Sequence, residues 1–89
     1  MADFTKDPNA KLDYQIDWED WLDSDTITAS TWTVTSGLTV EDDTIFTTTD
    51  TTLWISGGLV GSTYRAVNHI TTAAGREEDK TMTINIQEK

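Results

Sequence analysis

Apolar and polar residues alternate along most of this chain with a period of two. Leu12, Tyr14 and Ile16 share one side of residues 12–17. Leu53 and Ile55 share one side of 51–55, with Trp54 on the other. Tyr64, Ala66, Asn68 and Ile70 share one side of 64–72, and Met82, Ile84 and Ile86 one side of 81–87. That spacing sends successive side chains to opposite faces of a pleated backbone, so each run predicts a strand with one buried face. Shorter runs at 38–40 and 44–48 predict two more. The run 26–34 is less regular: Ile27 and Ala29 have one parity, Trp32 and Val34 the other. A bulge near residues 29–30 would turn all four inward. The glycine-bearing stretch "SGGLVGS", 56–62, and the hairpin loop "AAGREED", 73–79, separate the last three strands. Seven short strands without an intervening helix predict an all-β, antiparallel two-sheet sandwich.

One segment breaks the period. In "DYQIDWEDWLDSDT", 13–26, alternation holds through Trp18 and then fails, because Trp18, Trp21 and Leu22 stand at i, i+3 and i+4. This is the spacing of one helical face and predicts a single helical turn over 18–22. Asp17 suits its N-cap, and Glu19 and Asp20 suit the positive end of its dipole. The rings and Leu22 would then plug one end of the sandwich while the acids face water. A second local signal is "GSTYRA", 61–66: a Tyr just after a glycine turn, two residues before Ala66, resembles the tyrosine corner of immunoglobulin-like domains.

Residues 1–11 lack alternation, hold the single Pro and carry a lone aromatic, Phe4. They predict an extended amino-terminal arm, with 12–89 as the sandwich domain and Phe4 as a residue that docks on a neighbouring copy. At 89 residues the chain supports one domain and no cleft between lobes. Threonine makes up roughly a fifth of it, which fits half-buried strand surfaces.

Charge then narrows the partners. The formal net charge is −10, which repels nucleic acid and anionic membrane alike, so neither is expected and a protein partner should be basic or neutral. There is no cysteine, so disulfides and thiolate metal sites are excluded. Neither a signal peptide nor a membrane span is read from the pattern.

The acids of the opening segment, Asp17, Glu19, Asp20, Asp23 and Asp25, supply the hard oxygen ligands that calcium takes. Their spacing does not match a calcium-binding loop and no glycine stands at the required bend, so no metal or other cofactor is expected. Trp54 shares its strand parity with Thr52 and Ser56, so its ring should stand on a polar outer face, a candidate sugar or partner contact. His69 is the single histidine and shares a face with Arg65 and Val67, without a residue spacing that suggests an activated nucleophile. We expect no enzyme. Arg65 and His69 join Phe4 and Trp54 as candidate partner-binding residues.

The segments "KDPNAKLDYQIDWEDWLDSDTITASTWTV", 6–34, and "LWISGGLVGSTYRAVNHITTAAGREEDKTMTI", 53–84, together cover most of the chain. They resemble a family of small proteins encoded among the virion genes of tailed bacteriophages and prophages. The likeness lies in the "KDP…LDY.IDW..WL" opening, "STWTV", "W.SGG..G..Y…N.I" and "T.AGR..D"; "REED", 76–79, departs from many relatives. The resemblance implies a non-catalytic virion structural protein made in the bacterial host cytoplasm: a capsid decoration, a head–tail (neck) component, or a tail or fibre-attachment subunit. It would be multi-copy or homo-oligomeric and bound to the major capsid, neck or tail/fibre protein. A carbohydrate-binding or adhesion module on the virion surface is the alternative.

Overall fold

The computed structural model describes residues 2–6 and 10–87, with residues 2–5 as main chain. The strands are β1 (Ala2–Lys6), β2 (Leu12–Asp17), β3 (Ile27–Val34), β4 (Leu38–Phe46), β5 (Asp50–Gly57), β6 (Thr63–Thr72) and β7 (Glu77–Ile86), with one short helix, α1 (Glu19–Leu22), between β2 and β3. They form a four-stranded sheet ordered β1-β7-β6-β3 and a three-stranded sheet ordered β2-β5-β4. With β2 to β7 taken as strands B to G, the sheets are B-E-D and C-F-G, the arrangement of an immunoglobulin-like sandwich. The departure is β1, which lies beside the last strand, β7, in parallel, with Phe4 opposite Ile84. The other pairings between these strands are antiparallel.

The core sits between the sheets. Tyr14, Ile16, Leu53 and Ile55 enter from one, and Trp32, Ala66, Ile70, Met82, Ile84 and Ile86 from the other. These are the inward parities of the alternating runs, so hydrophobic burial selects the register: a slip of one residue would turn each apolar row to water. Polar side chains share this interior, Thr51 and Lys6 among them. Asn68 on β6 is fully buried. Its Oδ1 accepts from Trp18 Nε1 at 3.0 Å and from Thr51 Oγ1 at 2.7 Å. Its Nδ2 donates to Ser30 Oγ at 2.9 Å and to the Thr31 carbonyl at 3.0 Å. The amide thus links both sheets and the segment that enters α1.

Within the segment expected as an amino-terminal arm over 1–11, Ala2–Lys6 form β1 of the larger sheet, and Lys6 at its end is buried, with Nζ donating to the Gly57 carbonyl at 2.7 Å; residues 7–9 lie outside the described residues. Three expectations need correction. The two short strands expected at 38–40 and 44–48 are one, β4, whose pairing with β5 shifts register between Val40 and Asp42 and again between Asp42 and Ile45. Each shift resets the parity, so a continuous strand reads as two fragments. The last strand begins at Glu77, not 81, because Glu77 and Asp79 pair with Thr71 and His69. The irregularity in β3 falls between Ile27 and Ala29, slightly before the expected place, and leaves Ala29 exposed.

The tyrosine corner is present. Tyr64 opens β6, is buried, and its hydroxyl accepts the Leu59 amide at 3.1 Å across the β5–β6 loop. Gly37 lies against the same ring: a Cβ there would sit 2.6 Å from Tyr64 Cε1, and its φ of +117° already suits glycine. Tyr64→Phe keeps the ring and strands the Leu59 amide, so we expect it to destabilise the protein by about 1–2 kcal/mol. A chemical-denaturation midpoint indistinguishable from the unmodified chain would contradict this.

Candidate interaction surfaces

The opening acidic segment is a lid. Trp18 is completely buried and Leu22 nearly so, Trp21 is partly buried against the core, and Asp17, Glu19, Asp20 and Asp23 are exposed. The Asp17 carboxylate accepts the Glu19 amide at 2.9 Å, so it serves the first turn although Trp18 occupies the N-cap position itself. The helix stops at Asp23, which takes a left-handed conformation with φ 48°, a region aspartate tolerates better than most residues.

Cations brought from the β6–β7 hairpin clasp this lid. The Arg76 guanidinium carbon stands 4.3 Å from the Trp21 ring centroid and Lys80 Nζ 4.6 Å from that of Trp18. Trp18 and Trp21 meet edge to face at 5.5 Å. Arg76 also donates to the Leu22 carbonyl at 2.7 Å and to Asp25 Oδ2 at 3.1 Å. Asp25 is the one acid of the segment turned inward, its side chain only 9 % exposed. Hydrogen bonds from Thr72 first, then from the Thr26 amide, Arg76 and the Ala74 amide, hold its carboxyl down at about 2. The five acids therefore divide between solvent and a structural ion pair; among the described residues no group of three or more acids or histidines is gathered to hold an ion.

The candidate contact residues fall on opposite sides of the sandwich. Trp54, half-buried, lies on the outer face of the three-stranded sheet, between Asp13 on β2 and Asp42 on β4 in register. Asp42 is held below the usual carboxylate range by bonds from the Thr44 amide and hydroxyl, so this row is anionic. Arg65 and His69 lie on the outer face of the four-stranded sheet among threonines: Thr83 faces Arg65, and Thr31 and Asp79 flank His69. The Phe4 main chain lies in β1 on that same sheet, and its side chain is outside the described residues. The four candidates do not converge on one site.

His69 has partners that sequence spacing did not reveal. Nδ1 lies 2.6 Å from Asp79 Oδ1 and Nε2 2.9 Å from Glu77 Oε1, both reached across the β6–β7 ladder. The bond to Glu77, then that to Asp79, raises its pKa. A group whose pKa is raised on folding stabilises the fold fully below its unfolded value of about 6.5, and that stabilisation is lost as pH rises through the folded value. The His69 ring should therefore titrate above about 6.5 by nuclear magnetic resonance. The stability difference between the unmodified chain and His69→Gln should shrink with rising pH. A midpoint at or below about 6.5 would refute the clamp.

A family model described as Podophage GP4 fiber-tail adaptor protein gp77 matches residues 6–85. A comparison with curated proteins finds no match.

Proposed function

The chain belongs to the podophage GP4 fiber-tail adaptor protein gp77 family, and from that premise we propose that it is a non-catalytic subunit of the virion tail that joins fibre to tail through protein–protein contacts. The observation that carries this reading is the extent of the family match, which spans the sandwich from β2 through β7. The physical form supports it. Among the described residues both sheets turn their inner faces to one core and the surface carries shallow troughs, so the chain offers faces and edges for contact. Of the positions expected for a virion protein, the tail is the one this family description supports over capsid or neck.

Its net charge of −10 favours a basic surface on at least one partner, with attachment that weakens as salt rises. Multiple copies in a symmetric tail would turn modest single contacts into durable attachment. Trp54 on one face, and Arg65 and His69 on the other, give a two-sided subunit able to touch a different neighbour on each side. The test is to produce particles without this chain. Particles that lack fibres by electron microscopy and regain them when the chain is supplied separately are the expected result; fully fibred particles without it would overturn the reading.

A further inference from the structure

The two sheets have four edge strands, β1, β3, β2 and β4, and three are poor templates for further pairing. An edge strand presents unpaired main-chain donors and acceptors, and natural proteins blunt it with charge, shortness or bulges. β4 has both charge and bulges: Glu41, Asp42 and Asp43, and two register shifts. β2 has six residues with Asp13 and Asp17, and β1 has five with Asp3 and Lys6. β3, "ITASTWTV", has eight residues and no charge, and its pairing with β6 is unbroken from Ala29 to Val34. Among the described residues no strand pairs with its other side.

A groove of about 430 Å³ runs beside that edge, lined by Ser30, Thr31 and Trp32 of β3 and Asp43, Thr44 and Phe46 of β4. Two features there await a partner. The Trp32 side chain is buried, yet its indole N–H has no hydrogen-bond acceptor among the described residues. Phe46, at 37 % exposed, keeps part of an aromatic ring in water. Leaving a buried donor unsatisfied is costly, and a main-chain carbonyl is the acceptor an added strand brings.

We propose that β3 is the docking edge of this adaptor, and that its occupant is an extended, basic segment of another virion protein that adds to the four-stranded sheet beside β3, covers Phe46 and supplies an acceptor to Trp32. Charge complementarity selects this occupant: the groove's wall carries Asp43 and no basic residue, in a chain of net charge −10. A second copy fits less well, because pairing β3 with β3 would bring together two chains that each carry that charge. Main-chain pairing would give affinity and the side-chain positions specificity. This inference rests on the adaptor reading and names where one partner is held.

The test compares hydrogen exchange of the free chain with that of the chain in intact particles. Amides of residues 29–34 should exchange about tenfold or more slowly in the particle, as expected when an open edge gains a strand. Thr31→Lys with Thr33→Lys places two exposed cations on the edge. The pair should leave the melting temperature of the free chain within a few degrees and lower its incorporation into particles about tenfold or more. Thr39→Lys on β4 should not lower it. If the chain is present in fibred particles with residues 29–34 exchanging as in the free chain, or if the paired variant incorporates normally, the edge proposal is wrong while the adaptor reading stands. If the free chain is a dimer with 29–34 already protected, the occupant is a second copy and the proposal is overturned. Fibred particles without the chain would instead remove the adaptor reading.

Discussion

Asn68→Ala should destabilise the protein by about 3–5 kcal/mol, a large share of the total for a domain of this size. The amide fills its full hydrogen-bonding capacity, two bonds accepted and two donated, and all four partners come from other elements. Truncation leaves the Trp18 indole N–H and the Thr51 hydroxyl without their acceptor in the interior. Each such orphan costs about 1–3 kcal/mol, and the vacated volume adds a cavity. Asn68→Leu separates the two contributions, because it refills most of the space while leaving the same groups unpaired. If Asn68→Leu restores the denaturation midpoint of the unmodified chain, volume rather than hydrogen bonding holds this site.

Asn68 also shows how far the pattern of residues could be read. Its parity placed it on the inward face of β6 with Tyr64, Ala66 and Ile70, and that is where it lies. What parity cannot supply is the set of partners, which come from residues 17 to 50 positions away. The same limit applies to His69, whose two carboxylates arrive from the next strand in a stretch that looks like loop. There the inward position before Met82 is filled by Lys80 rather than an apolar residue. Its ammonium faces the Trp18 ring, so an inward position is polar in sequence and the period of β7 becomes legible four residues late. β1 left no period at all, because it is a short edge strand whose parallel partner stands about eighty residues downstream. By contrast, the tyrosine corner and the inward rings of the acidic lid are local devices. The Tyr64 hydroxyl finds its partner five residues away. The i, i+3, i+4 spacing of Trp18, Trp21 and Leu22 marks the inward side of the turn by itself, so both were legible although the groups that clasp the rings come from β6 and the β6–β7 hairpin.

The lid carries the other large effect. Trp18→Ala should cost about 3–5 kcal/mol, the range for removing a fully buried aromatic side chain. The indole is packed by Trp21, faced by Lys80 and hydrogen-bonded to Asn68, so its loss frees three groups together. Trp18→Phe keeps most of the apolar area and removes the N–H alone; since Asn68 Oδ1 retains Thr51, about 1–2 kcal/mol is expected. The double variant Trp18→Ala with Asn68→Ala should cost less than the sum of the single changes by about 1 kcal/mol or more, because both remove the same bond. Strict additivity in urea denaturation would mean that the lid and the β6 amide act independently. The solvent-facing acids of α1 make the opposite expectation: their substitution should leave the fold nearly unchanged, since the indoles and Leu22, not the carboxylates, close this end of the sandwich.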